Sequence, residues 1–181
     1  ATKTGKVAMI GGDDVPSIRS TFKAFRAGAE AAKPGITVIE VFTGSGQDIA
    51  KAKQATLGAI SEGADFVIHQ ANAAAQGVFD ACKEKGVWAF GANLNQNDNA
   101  SGAVVASATI VAGPAFLNLA KSVKDGSFKG GIALMGMDQG AIDYVFNPAV
   151  QGKLAPEVVT AVEETRAKIL SGELTVPKDE F

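Results

Sequence analysis

Four apolar runs of strand length, at residues 6–10, 37–42, 65–70 and 87–91, alternate with stretches whose apolar residues recur at helical spacing. No other feature narrows the possible folds as far. Most of the runs are continuously apolar, as expected for parallel strands covered on both faces. Between them, Ile18, Phe22, Phe25 and Ala29 mark one helix, stopped by Pro34-Gly35. Asp48 can cap a second helix through Ile49, Ala52 and Ile60, and a third carries Val78, Phe79 and Cys82 before Lys85-Gly86. This order predicts an α/β fold: a three-layer, doubly wound parallel sheet with right-handed crossovers and the flavodoxin-like strand order 2-1-3-4-5.

The second half is less regular. Two further strands are predicted at 103–107 and 131–136. Between them a helix from Val111 to Val123 carries the stripe Ala115, Phe116, Leu119 and Val123, and Gly126-Ser127 ends it. Residues 137–156 read as irregular, and a last helix at 156–170 precedes Gly172 and the tail Leu174-Thr175-Val176-Pro177. No Pro/Ser linker divides the chain, so residues 1–181 are expected to form a single α/β lobe. A chain of 181 residues can bury a substantial core.

In such a sheet the carboxyl ends of the strands form one polar rim, where ligands bind. Its candidate binding residues are Asp13 and Asp14 after the first strand, Ser45, Gln47 and Asp48 after the second, and Gln70 and Asn72 after the third. Asn93 and Asn95 follow the fourth, and Asp138 follows the run at 131–136. Gln96 and Ser107 belong to the same rim. Amides and hydroxyls dominate, which suits hydrogen bonding to a neutral polyhydroxyl or heterocyclic ligand. Loops also favour Asn, Asp and Gly for their backbone geometry alone, so the weight lies on the set, not on any one member.

Several chemistries fail on inventory. Asp13-Asp14 looks like the acidic pair of a receiver domain, yet the third strand ends His69-Gln70, without a phosphoacceptor aspartate. Two carboxylates in the first loop would repel the phosphate of a flavin mononucleotide. One histidine and one cysteine give no metal-ligand spacing and no internal disulfide. Thr43-Gly44-Ser45-Gly46 lacks the order of a nucleophile elbow. His69 and Trp88 read as core groups, Cys82 as a small buried hydrophobe, and Lys51 and Lys53 as a solvated helix face. The net charge of −2, with no basic block, gives no nucleic-acid surface. No cofactor, metal or catalytic residue is expected. The sequence contains neither a signal-like leader nor an apolar run long enough to cross a membrane.

Several ordered segments carry a resemblance. They include Gly5-Lys6-Val7-Ala8-Met9-Ile10-Gly11-Gly12, Phe42-Thr43-Gly44-Ser45 with Asp48, and Ala81-Cys82-Lys83-Glu84-Lys85-Gly86-Val87-Trp88. Phe128-Lys129-Gly130-Gly131 and Ser171-Gly172-Glu173-Leu174-Thr175-Val176-Pro177 extend it nearly end to end. The chain resembles the basic membrane protein family of ABC-transporter solute-binding lipoproteins, whose best-known type is the purine nucleoside receptor. That resemblance implies one lobe of a two-lobed, type I periplasmic-binding-protein clamshell, with the first lobe absent from this chain. It implies a non-catalytic role in binding a small polar ligand such as a nucleoside, an ABC transporter permease as partner, and a periplasmic or lipid-anchored cell-surface location. The alternative is a trimmed or engineered flavodoxin-like scaffold that binds no ligand.

Three positions depart from the family pattern. The aromatic residue common after Gly-Ser is Gly46 here, which forgoes a base stack worth about 1–3 kcal/mol. Family aspartates align with Asn93 and Asn95, which exchanges charge-assisted acceptors for neutral ones. A family lysine aligns with Ile110. Without a first lobe, the stripe on the helix from Val111 to Val123 needs cover. Folding back on its own sheet is the expected solution, and a homodimer through that helix is the other.

Overall fold

Six strands form one sheet in the computed structural model, which describes residues 1–132 and 134–176. The strands are β1 (Lys6–Gly11), β2 (Thr37–Phe42), β3 (Phe66–Gln70), β4 (Trp88–Gly91), β5 (Val104–Ile110) and β6 (Ile142–Phe146). Their order is β2-β1-β3-β4-β5-β6. The first five are parallel neighbours, as the runs of strand length predict.

Helix α1 (Pro16–Ala32) covers one face, where Phe22 packs on Met9 and Ile68. Helices α2 (Ile49–Ser61) and α3 (Ala75–Lys85) cover the other. There Ala52, Ala59, Val78, Phe79 and Cys82 close over Ala8, Ile10 and Val67. Burial pushes the Cys82 thiol up to about 12, so it behaves as a small protonated hydrophobe. Small residues let α2 and α3 pack closely: a Cβ on Gly77 would lie 2.1 Å from the Ile49 carbonyl oxygen. The same contact fixes the first turn of α2, and with it the loop that precedes that helix.

The second half departs from expectation in two places. The run 131–136, of which Ala133 lies outside the described residues, is not a strand in its described residues, and Ile132 and Leu134 stand exposed. An apolar run becomes a strand only when a sheet edge accepts it, and among the described residues none does so. The sixth strand instead comes later, inside the stretch read as irregular. β6 runs antiparallel to β5, with Ile142 opposite Ile110 and Phe146 opposite Ala106. The chain leaves β5 through α4 (Ala112–Asp125) and returns at the same carboxyl edge, where Val111 N–H donates to the Ala141 carbonyl at 2.8 Å. From there it can only run back down beside β5.

The expected folding-back of the 111–123 helix does not occur. α4 has no buried residue, and Phe116 is 70% exposed. After the short α5 (Pro148–Gln151), α6 (Pro156–Ser171) likewise has no buried residue. The forked pair Arg166–Asp143 ties α6 to β6, with Nε–Oδ1 at 2.9 Å and Nη2–Oδ2 at 2.7 Å.

Candidate functional site

The carboxyl ends of β1, β2 and β3 are stitched together beyond the sheet itself. Gly12 N–H donates to the Gln70 carbonyl, Thr43 N–H to Gly11, and Gly44 N–H to Gly12, at 2.9–3.0 Å. Two glycines make this approach possible. A Cβ on Gly12 would sit 2.9 Å from Gly46 Cα, and one on Gly46 would sit 2.9 Å from the Asn72 side-chain nitrogen. Gly46 is therefore coupled to Asn72. Any larger side chain there must displace that amide.

An open cleft of about 460 Å³ lies on this edge. Its polar wall is Asp13, Ser17, Thr21, Gln70, Asn72 and Asn93, and its apolar wall is Val15, Ile18 and Ile110. The Gln70 and Asn93 side-chain amides face each other reciprocally, at 3.5 and 3.3 Å. Asn72 (φ 48°) and Asn93 (φ 69°) are the non-glycine residues with positive φ among the described residues, and both line the cleft. Asparagine tolerates this region better than most residues, but it is still sparsely populated, and such backbone concentrates at ligand sites. Among the described residues the cleft is lined by one carboxylate and no lysine or arginine, so it suits hydroxyl and amide groups and disfavours phosphate.

Four of the expected rim residues thus converge on the cleft: Asp13, Gln70, Asn72 and Asn93. The other six do not line it. Asp14 is held by Arg19, which also stacks over the Phe42 ring at 5.6 Å. The Ser45 hydroxyl accepts from Gln47 N–H and Asp48 N–H, both at 3.2 Å. Asp48 caps α2 by accepting from Lys51 N–H at 2.9 Å. Gln47 is exposed, and Asn95 turns its carbonyl oxygen to Asn97 N–H at 3.0 Å. Asp138 lies exposed in a 3₁₀ turn, Met137–Gln139, just ahead of β6. In place of these, α1 supplies Ser17, Ile18 and Thr21. Ser17 and Thr21 are four residues apart and so share one helical face, a polar signal present in the sequence beside the apolar stripe.

Beneath the rim runs a buried polar network that sequence reading did not assemble. His69, 2% exposed, faces Gln96 Oε1 at 2.9 Å. That oxygen also accepts from Ala92 N–H at 2.8 Å, which fixes the amide's orientation and makes His69 Nε2–H the donor. His69 Nδ1 is then left to accept from Ala71 N–H at 3.5 Å. Burial lowers the His69 pKa from its ordinary 6.5, so the ring is neutral near pH 7. Gln96 N–H donates to Ser107 Oγ at 3.0 Å, and Ser107 donates onward to Asn97 Oδ1 at 2.8 Å. Asn97 and Asn147 then bind backbone carbonyls of β5 and β6, among them Val145, Phe146 and Val104. The network locks the β4–β5 connection, and so holds Asn93 in place. Among the described residues no three His, Cys, Asp or Glu side chains group as a metal ion would need.

Residues 1–180 match the family described as ABC transporter substrate-binding protein PnrA-like. The chain belongs to that family. It is 29% identical over 195 residues to the ABC transporter nucleoside-binding protein BmpA of Lactococcus lactis, covering 98% of this chain and 54% of that one. It is 27% identical over 173 residues to a purine-binding protein of Brucella abortus, covering 96% of this chain and 48% of that one. The chain therefore spans about half the length of the curated relatives it matches. In structure it resembles an ABC transporter solute-binding protein from Conexibacter woesei, with a TM-score of 0.75 at 22% identity, covering 97% of this chain and 58% of that one. That likeness shows the fold, an α/β architecture of the periplasmic-binding-protein type I class. Among the described residues no helix is long and apolar enough to cross a membrane.

Proposed function

We propose that this chain is a non-catalytic, solute-binding lobe that receives a small, neutral, polyhydroxyl or heterocyclic ligand of the nucleoside class in the carboxyl-edge cleft. It would work outside the cytoplasmic membrane and hand its solute to an ABC transporter permease. The observation that carries the reading is the pair Asn72 and Asn93. Both hold left-handed backbone, both carry amides, and both line one cleft. Family membership supports the transporter role, and the printed names of the relatives support a nucleoside or purine.

An open cleft surrounds only part of a ligand, so the affinity should be modest, with a Kd on the order of 100 µM or weaker. Calorimetry with inosine, adenosine and their 5′-monophosphates tests the reading. Weak binding of the nucleosides, lost in Asn93→Ala and absent for the monophosphates, is expected. Submicromolar affinity would contradict the one-sided site. Equal binding of the phosphates would contradict the role given to Asp13.

A further inference from the structure

Each asparagine with positive φ in the cleft sits in a tight turn opened by a buried alanine. Ala71 opens the first: its carbonyl accepts from Ala74 N–H at 2.9 Å across Asn72 (φ 48°). Ala92 opens the second: its carbonyl accepts from Leu94 N–H at 2.8 Å across Asn93 (φ 69°). A bond to the next residue but one, with positive φ between, is the rare and strained form of γ-turn. Such backbone persists only where its surroundings hold it. Ala71 is fully buried and Ala92 is 5% exposed, so their own N–H groups need internal acceptors. Both acceptors belong to one assembly at the end of β3. Ala71 N–H points to His69 Nδ1 at 3.5 Å. Ala92 N–H donates at 2.8 Å to Gln96 Oε1, the atom that also accepts from His69 Nε2–H at 2.9 Å.

One imidazole therefore meets both turns, and one placement of its proton serves them. With the proton on Nδ1, that nitrogen would face Ala71 N–H, donor against donor, and Nε2 would face Gln96 Oε1, acceptor against acceptor. Turning the Gln96 amide to suit would leave Ala92 N–H without its acceptor. Phe79 of α3 packs edge-on against the ring, with centroids 5.1 Å apart, and holds its plane. A buried polar network that is fully paired rigidifies what it joins. We propose that His69, through its Nε2–H tautomer, is a positioning residue that sets the Asn72 and Asn93 amides together, so that a ligand held by one meets the other already in place. His69 is itself buried beneath the cleft and acts through the two turns. The inference rests on the cleft's being the solute site only for its effect on affinity.

Nitrogen NMR of the ring and of the two side-chain amides, in the whole chain without ligand, tests the coupling. A protonated Nε2 and an unprotonated Nδ1 are expected at about pH 7.5. His69→Phe keeps an aromatic ring, removes both polar atoms, and should shift the Asn72 and Asn93 amides together. Each conservative variant should rescue one arm. In His69→Asn the new carbonyl can take the place of Nδ1 and restore Asn72, while in His69→Gln the longer amide can reach Gln96 and restore Asn93. Calorimetry with inosine then reads the consequence: a loss of about tenfold or more for His69→Phe, recovered in part by either rescue. Val78→Ala, which loosens the core that α3 forms on the sheet, should leave both amides in place and change affinity by less than about twofold. The opposite tautomer, variants in which the two asparagines never respond, or an affinity loss in Val78→Ala as large as in His69→Phe would each overturn the proposal. The tautomer and the two rescue spectra decide the case even where His69→Phe does not fold. A wild type that binds no millimolar inosine would overturn the solute assigned to the cleft, and the ligand-free spectra would still decide on His69.

Discussion

The sheet body and the α4 and α6 helices use the same amphipathic language with opposite results. In α1, Phe22 is sealed between Met9 and Ile68, and in α3, Val78, Phe79 and Cys82 vanish into the sheet. In α4, an equally clear stripe is left in water, and in α6 Val158, Val159, Val162 and Ile169 are only half-buried, beside the Arg166–Asp143 ion pair. An apolar stripe encodes a demand for cover and does not say which surface meets it. The body meets the demand within itself, and α4 does not.

Truncation separates the two regions most sharply. Phe22→Ala should cost about 3–5 kcal/mol, as a full aromatic side chain is lost from a closed core. Phe116→Ala should cost the isolated chain less than about 0.5 kcal/mol. Urea melts at low protein concentration measure both, and a large loss from Phe116→Ala would erase the distinction. Next in size, Gly77→Ala drives a methyl group onto the Ile49 carbonyl and should cost about 3 kcal/mol. Gly113→Ala in α4 meets nothing within 4 Å and should be neutral or slightly stabilising, by up to about 1 kcal/mol.

A third effect is confined to the body. The His69 pKa is lowered in the folded state, so the unfolded chain binds more protons below its ordinary 6.5. Stability should hold above that pH and fall as the pH drops below it, by on the order of 1 kcal/mol per pH unit. Denaturation of the wild type and His69→Gln at pH 7.5 and 5.5 (approximate values chosen to bracket the transition) reads the difference. A wild-type slope that survives the substitution would mean that another group carries it. The smallest effect is expected from Arg166→Ala. The Arg166–Asp143 pair is about a third exposed on each side, so its loss should cost under about 1 kcal/mol. Hydrogen exchange in α6 should rise while that of β1 and β3 stays unchanged.

Most of the body could be read in the chain, because a parallel strand buried on both faces leaves a continuous apolar run. β1 to β4 fall within a residue of the predicted runs, and Asp48 caps α2 as expected. β6 was hidden because it is an edge strand in which Asp143 interrupts the apolar pattern, set among turn residues. The run 131–136 was misread for the converse reason, since it has a buried strand's composition without a sheet to join. At the rim, Asp13, Gln70, Asn72 and Asn93 could be found because strand order alone brings them together. Asp14, Ser45 and Asp48 could not be sorted from them. Their polar atoms are consumed by Arg19, by backbone amides and by a helix cap, and those pairings depend on loop geometry that periodicity does not report.

The central claim is that the carboxyl edge of the body receives a small polar solute. Backbone amide chemical shifts, followed by NMR during titration with inosine, test it most directly. The account predicts saturable shifts concentrated at Asp13, Gln70, Asn72 and Asn93, abolished by Asn93→Ala. Shifts centred instead on the apolar groove of Phe25, Phe66 and Phe90, or none at millimolar nucleoside, would contradict it.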